Sequence, residues 1–303
     1  MAQADLWSPY WQADPQPASI DAFPTDVRDA IELRWLTHFR RLPAGARVLD
    51  IGCGAGALAV LAARAATAEH PLDFTGIDLA ADVPTAPATA FLAARFLGGQ
   101  DAAALSFGDA AFDLVVSQFG FEYGDFDPSL IEAARVCRGA LLALVHAADG
   151  SVVQQNAPLA GQVDWLLDER QLPATLRGYL ETGSAEAARD LKGLSGAMVE
   201  RARTMPNAAF LEAASRAIGE FIQAFAGKPA AAWSEPLERF EAALRNHGSR
   251  MRALGAAGRS ESELRRACER LRELGFATAT VDPLLSPGGR HLVGYWLEAR
   301  RPL

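Results

Sequence analysis

The chain has 303 residues, half of them apolar, and a formal net charge of −8. This length and composition allow a sizeable buried core, organised as one large domain or two smaller ones. Because a nucleic-acid partner usually requires a basic surface that neutralises phosphates, the acidic balance disfavours such a partner.

The cysteines and the first residues favour a cytoplasmic location. Cys53, Cys137 and Cys268 are far apart and odd in number, with no C-x-x-C pair and no zinc spacing. Residues 1–17 lack the basic start and apolar stretch of a signal peptide, and no run reaches the ~18 to 20 apolar residues that span a bilayer. We therefore expect a cytoplasmic protein with no structural metal and no membrane partner, and the preference for arginine over lysine favours a bacterial source.

Residues 1–43 are predicted to form an N-terminal helical segment, with a helix over residues 25–41. Trp7, Tyr10 and Trp11 precede that helix. They could pack against the edge of a sheet, or Tyr10 or Trp11 could close over a bound ligand. Both interpretations remain open.

Residues 48–59 read VLDIGCGAGALA, an apolar strand that ends in a carboxylate and breaks into alternate glycines before a helix predicted over 55–68. Glycines allow a tight turn whose backbone N–H groups a ligand can approach. Both nicotinamide dinucleotides and S-adenosylmethionine (AdoMet) are bound by such turns. Asp50 favours AdoMet, because its carboxylate would repel a pyrophosphate and attract the sulfonium and α-ammonium groups.

Further strands are predicted at 72–78, 93–97, 112–117 and 140–146, after a first strand at 46–51. Their alternation with helices predicts a parallel, doubly wound α/β sheet. The second strand ends in FTGID, which places Asp78 where a carboxylate can bind a ribose diol. Residues 100–107 read QDAAALSF, and residues 111–120 read AFDLVVSQFG.

Together these segments resemble the class I AdoMet-dependent methyltransferases, in which VLDIGCGxG, IDxx, DAxxLxF and FDLVVSQFG follow in this order. The resemblance covers residues 44–147 and the C-terminal tail. It implies a Rossmann-like, seven-stranded and mostly parallel sheet whose last strand is antiparallel, AdoMet as cofactor, and a small-molecule acceptor. The cofactor-binding positions that it implies are Asp50, Gly52, Cys53, Gly54, Gly56, Asp78, Leu79, Asp101, Ala102 and Gln118.

By this resemblance, Asp50 and the glycines hold the methionine end, Leu79 covers one face of the adenine, and Gln118 lies near the transferred methyl group. Asp101 and the backbone of Ala102 would contact the adenine edge, although Asp101 could instead be a turn or capping residue. No chemistry is assigned to Cys53. Residues 82–90 contain two prolines and replace the second helix of the family with a short or irregular segment.

The core, residues 44–149, is predicted to be interrupted after the fifth strand by a helical insertion, residues 150–259, that acts as a lid or substrate domain. Asn207 and Ser234 are candidate N-caps of two amphipathic helices in it. Residues 260–303 complete the core with a helix that begins in a capping box of Ser260 and Glu263, and with strands at 276–281 and 291–300.

Methyl transfer mainly requires orientation, and a base is needed only if the acceptor must lose a proton. The candidate catalytic residues are His146, Glu122 and Tyr123, which follow the fifth and fourth strands, while His247 on an apolar helix face is a packing residue. Two other functions remain open: a regulatory or scaffold protein that binds AdoMet or its product S-adenosylhomocysteine (AdoHcy) without turnover, and a less favoured NAD(P)-dependent oxidoreductase. Oxygen, nitrogen and carbon acceptors all fit these residues.

Overall fold

One seven-stranded sheet organises the larger part of the chain. The computed structural model describes residue 7 and residues 23–83, 90–205 and 208–302. The strands are β1 (Ala46–Ile51), β2 (Leu72–Ile77), β3 (Leu92–Leu97), β4 (Phe112–Gln118), β5 (Cys137–His146), β6 (Thr278–Leu285) and β7 (Leu292–Arg300). Their order is β3-β2-β1-β4-β5-β7-β6, with β1 to β5 parallel and β7 antiparallel to both of its neighbours. The predicted doubly wound sheet is confirmed, including its antiparallel last strand.

Helices cover both faces of this sheet and occupy the insertion. They are α1 (Thr25–Arg40), α2 (Ala57–Ala65), α3 (Phe126–Val136), α4 (Ser151–Asn156), α5 (Leu159–Asp164), α6 (Leu172–Thr182), α7 (Ala185–Arg203), α8 (Ala209–Phe225), α9 (Ala230–Ala257) and α10 (Glu261–Glu273). Short turns of 3-10 helix span Phe121–Tyr123 and Pro287–Gly289, and a π-helical turn spans Trp165–Glu169. The bounds lie within a few residues of those predicted for the core.

The chain divides into two compact units, residues 1–154 with 256–303, and residues 155–255. In the first unit, α1 and α2 pack on one face of the sheet through buried residues such as Trp35, Phe39 and Leu58. On the other face, α3 and α10 contribute Leu130 and Leu264 to a second apolar layer. Side chains of each strand alternate between these two layers, which explains the apolar character of β1, β4 and β5.

The second unit has its own apolar core. Helices α6 to α9 bury their apolar sides against one another, and the largest side chains inside are Trp165 and Trp233. Ser234 is not an N-cap, since α9 begins at Ala230 and the Ser234 hydroxyl donates to the Ala230 carbonyl oxygen at 2.8 Å. Pro229 and the alanines after it start the helix one turn earlier, because proline and alanine suit a first helical turn.

Several local expectations have a clear outcome. The capping box of α10 is confirmed, with the Ser260 side chain accepting from the Glu263 N–H and Glu263 accepting from the Ser260 N–H. Asn207, Tyr10 and Trp11 lie outside the described residues, as does most of the segment 82–90. Within the described ranges, no helix combines the length and the apolar character that crossing a membrane requires.

Candidate active site

The carboxyl ends of three neighbouring strands bring together residues that are far apart in the sequence. Asp50 of β1 pairs with Val116 of β4, and Gln118 of β4 pairs with Leu144 of β5. His146 closes β5 two residues later. Because parallel strands end at the same edge of a sheet, Asp50, Gln118 and His146 form a diagonal row along this edge, where open α/β sheets bind their ligands.

Asp50 is a buried carboxylate that lacks a complete set of partners. Its side chain is 1% exposed, and within the described part of the chain its buried Oδ1 atom has no hydrogen-bond partner. Burial raises the pKa of Asp50 well above its usual range, and the neighbouring Asp78 carboxylate raises it further. A cationic ligand placed here would satisfy the oxygen and favour its ionised form.

Asp78 holds the glycine turn in place. Its Oδ2 accepts a hydrogen bond from the Gly54 N–H and its Oδ1 accepts from the Ala80 N–H, both at 2.9 Å. These bonds oppose the effect of burial, which raises the pKa of Asp78. The Gly54 N–H therefore already has a hydrogen-bond partner within the protein, whereas each carboxylate oxygen of Asp78 has a second lone pair with which it can accept a hydrogen bond from a ligand. The ribose contact of Asp78 stays a prediction.

The turn after β1 is locked against the loop after β4. Gly52 has a φ of +72°, and a Cβ on either Gly52 or Gly120 would lie 2.8 Å from backbone atoms of the other. The Ser117 hydroxyl donates to the Ile51 carbonyl oxygen at 2.7 Å and accepts from the Phe121 N–H at 2.9 Å. The two loops are therefore in direct contact and are joined by hydrogen bonds. The roles of Ser117 and Gly120 are absent from the sequence predictions, although both lie in the SQFG segment.

The other predicted cofactor positions have ordinary local surroundings. Burial raises the pKa of the Cys53 thiol, and the carboxylates of Asp50 and Asp78 add to the effect. Leu79 and Ala102 are half-buried. Asp101 is exposed, and its Oδ1 accepts from the Ala103 N–H at 2.9 Å, which is the turn geometry considered as its alternative role. Its contact with adenine stays a prediction.

The three candidate catalytic residues lie side by side. The Nδ1 atom of His146 is 2.7 Å from Oε1 of Glu122, and the same oxygen accepts the backbone N–H of His146 at 2.9 Å. Glu122 is 1% exposed and His146 is 6% exposed. The ring of Tyr123 meets the His146 ring edge-on, with centroids 5.7 Å apart. Because a carboxylate only accepts, Nδ1 carries the proton in the neutral ring and Nε2 is left as the acceptor.

Arg259 forms hydrogen bonds with both members of this pair and is absent from the sequence predictions. Its backbone N–H donates to the His146 carbonyl oxygen at 2.8 Å, and its guanidinium donates to the Glu122 carbonyl oxygen at 3.0 Å. On the other side, Phe119 has a φ of +52° and its ring centroid is 4.3 Å from that of His146. A left-handed conformation in a bulky residue is costly, and here it directs the ring onto the histidine.

Trp35 and His247 are two further side chains with defined partners. Trp35 of α1, also absent from the sequence predictions, donates its indole N–H to Oε1 of Gln118 at 2.7 Å. His247 lies in the helical unit, where its ring stacks on Phe210 with centroids 5.4 Å apart and burial lowers its pKa. The structure thus places His247 among packing residues of the second unit.

Residues 48–140 match the family model for a methyltransferase domain. The match covers less than a third of the chain, including the glycine turn, Asp78 and Gln118, and it confirms for this part the resemblance to class I AdoMet-dependent methyltransferases. The comparison with curated protein sequences found no match.

Solved structures with a related fold span nearly the whole chain. A Burkholderia thailandensis 1,6-didemethyltoxoflavin-N1-methyltransferase is 14% identical, with a TM-score of 0.45 over 99% of this chain and 88% of that one. A magnesium protoporphyrin IX methyltransferase from Synechocystis is 15% identical, with a TM-score of 0.44 over 99% and 98%. A possible exported protein from Bordetella parapertussis is 13% identical, with a TM-score of 0.45 over 97% and 79%. With TM-scores below 0.5, these likenesses carry no information on the acceptor of this chain.

The burial of Asp50 predicts a stability effect. Since its pKa is higher in the folded than in the unfolded chain, the folded protein loses stability as the pH rises from about 4, the ordinary range of an aspartate. Asp50→Asn removes this loss, so the unliganded variant should melt higher than the wild type near neutral pH, by roughly 2 °C or more. The difference should shrink towards pH ~4.

Differential scanning fluorimetry over this pH range measures the difference in melting temperature, with Asp73→Asn, a change at a half-buried position of β2, as the control. An Asp50→Asn variant that melts below the wild type near neutral pH would contradict the assigned environment.

The contact between the two loops predicts a second effect. In Gly120→Ala the added Cβ would lie 2.8 Å from the Gly52 carbonyl oxygen, so the loops must separate. We expect a loss of about 1 to 3 kcal/mol in the free energy of unfolding, measured by denaturant titration. Gly108→Ala is the matched control, because no atom lies within 4 Å of its added Cβ. Equal stabilities of the two variants would show that the loops are not in contact.

Proposed function

We propose that this protein is an AdoMet-dependent methyltransferase that acts on a small-molecule acceptor. The observation that carries the proposal is the buried Oδ1 of Asp50, which has no partner in the described structure and lies at the strand edge beside the glycine turn. AdoMet is the cofactor of the matched fold. Its α-ammonium and sulfonium groups are positively charged and are therefore attracted to this carboxylate oxygen, and the ammonium can also donate a hydrogen bond to it.

The residues present fit that cofactor. Asp50 and Asp78 together form an acidic site, which suits a cation and disfavours the pyrophosphate of a nicotinamide dinucleotide. We assign the methionine end to Asp50 and the turn of Gly52, Gly54 and Gly56, with Cys53 within that turn. In the same proposal Asp78 binds the ribose. The adenine is contacted by Leu79, Asp101 and Ala102.

AdoMet supplies an electrophilic methyl group, and the protein has to orient the acceptor and remove its proton. In our proposal, Nε2 of His146 would accept the proton that the acceptor atom loses, and a bound AdoMet would supply the methyl group and be left as AdoHcy. The Glu122 carboxylate accepts the Nδ1–H, which fixes the tautomer and stabilises the imidazolium that results. Tyr123 borders the same ring and would contact the acceptor.

The helical unit, residues 155–255, is assigned to acceptor selection. It follows the fifth strand in the chain and holds its own core, so it can change without disturbing the sheet. An acceptor with an oxygen, nitrogen or carbon nucleophile is compatible with a histidine base. The cytoplasmic location and the absence of a nucleic-acid or membrane partner stay predictions.

Calorimetric titration with AdoHcy tests the cofactor assignment. We expect micromolar binding by the wild type and none by Asp78→Ala, since this change removes a ribose contact and the bond that holds Gly54. Asp73→Ala, at the opposite end of β2, should bind as the wild type does. NAD should not bind. Binding of NAD with no binding of AdoHcy would favour the oxidoreductase, and binding of neither would remove the proposed function.

Turnover separates an enzyme from a protein that only binds the cofactor. Small-molecule acceptors can be screened with AdoMet that carries a labelled methyl group. With an accepted compound, His146→Ala should lower kcat by about 10²-fold to 10⁴-fold, the usual contribution of a general base, while the affinity for AdoHcy is unchanged. Glu122→Gln should lower kcat less, because the neutral amide can still contact the ring but stabilises the imidazolium poorly. An unchanged kcat in His146→Ala would exclude the base role.

A further inference from the structure

The hydrogen bond between Trp35 and Gln118 fixes which end of the Gln118 amide is occupied within the protein. An indole nitrogen can only donate, so the atom that lies 2.7 Å from it must be the oxygen of the Gln118 amide. The opposite arrangement would set two N–H groups against each other. The NH2 group of Gln118 is therefore the end left for other partners, and it offers donors only.

Trp35 is well placed to impose this direction. Its side chain is fully buried, and its ring lies 5.1 Å from the Trp296 ring and 6.2 Å from the Phe39 ring. A side chain packed on both sides cannot turn its N–H away without opening the core. Gln118 itself is half-buried, at the last position of β4.

Gln118 and Asp50 lie on the same face of the sheet. Asp50 pairs with Val116, and Gln118 follows two residues later, so both side chains point towards the layer that contains Trp35. Their chemistry is complementary: Asp50 presents an oxygen that needs a donor, and Gln118 presents a donor group. A ligand with an ammonium beside a carboxylate, as in a free amino-acid group, matches this pair.

We propose that Gln118 donates a hydrogen bond to the α-carboxylate of the methionine end of AdoMet, and that Trp35 is the positioning residue that makes it a donor. This inference rests on the proposed function. It gives Gln118 a role in holding the amino-acid end of the cofactor, rather than in recognising the acceptor. In this arrangement Asp50 receives the α-ammonium of the same group.

The test compares AdoHcy with its decarboxylated analogue, which keeps the amine and lacks the carboxylate. Gln118→Ala should weaken AdoHcy binding by about tenfold or more, the usual effect of losing a hydrogen bond to a charged group. Gln118→Glu should weaken it further, because its carboxylate can still accept from Trp35 but repels the ligand carboxylate. Trp35→Phe keeps an aromatic ring and removes the donor, and it should weaken AdoHcy by roughly threefold to tenfold. Gln118→Ala and Trp35→Phe should bind the decarboxylated analogue within about twofold of the wild type, and Gln118→Glu should bind it at least as tightly as the wild type, because the added carboxylate attracts its amine.

Trp296→Phe is the matched control, since it is the same change in a buried ring that packs against Trp35. It should bind both ligands as the wild type does. Melting curves establish whether each variant folds. If Trp35→Phe does not fold, the comparison of the two ligands rests on Gln118→Glu.

Each other outcome has a separate meaning. If the wild type binds neither ligand, the proposed function fails. If the Gln118 variants weaken both ligands equally, Gln118 does not meet the carboxylate and this inference alone is overturned. If they discriminate between the ligands while Trp35→Phe binds AdoHcy normally, the positioning role of Trp35 is overturned.

Discussion

The close approach of Gly52 and Gly120 is the constraint on which the candidate site depends. Because neither position has room for a Cβ, the turn after β1 and the loop after β4 meet backbone to backbone. The Ser117 hydroxyl bridges the same two loops. Phe119, in its left-handed conformation, lies directly before Gly120, and the short turn that contains Glu122 follows it. The contact between the loops therefore also positions the residues that surround His146.

Among the three acidic groups of the site, Glu122 and Asp50 differ in the hydrogen bonds that the protein provides to Oε1 and Oδ1, although Oε2 of Glu122, like Oδ1 of Asp50, has no partner within the described residues. Oε1 of Glu122 accepts two N–H bonds from His146, so the direction of the imidazole is fixed before any ligand binds. Oδ1 of Asp50 receives none within the described residues, and burial with a second carboxylate nearby makes its charged form unfavourable. Such a buried group lowers the stability of the unliganded fold, a feature that is common at functional sites.

The sequence predicts those features that arise from contiguous residues. The glycine turn, the acid at the end of β2 and the capping box of Ser260 depend on local backbone geometry, which motifs record directly. His146 and Glu122 are predictable one at a time, because parallel strands end at a common edge. Trp35 and Arg259 are not predictable in this way, since they lie 83 and 137 residues from their partners. Ser234 shows the opposite error: a good capping residue was outweighed by the proline and alanines before it.

The hydrogen bonds of His146 are made by residues of the first unit. His146, Glu122 and Arg259 are joined by hydrogen bonds at the end of β5, and the helical unit begins nine residues after His146 and ends four residues before Arg259. The Arg259 N–H donates to the His146 carbonyl oxygen and the Ala148 N–H donates to the Arg259 carbonyl oxygen, so the returning chain is tied to the end of the strand. The residues of these bonds lie outside the helical unit, so His146 is held by contacts within the first unit. The proposed base and the proposed cofactor residues therefore all belong to the first unit, and the second unit has an apolar core of its own.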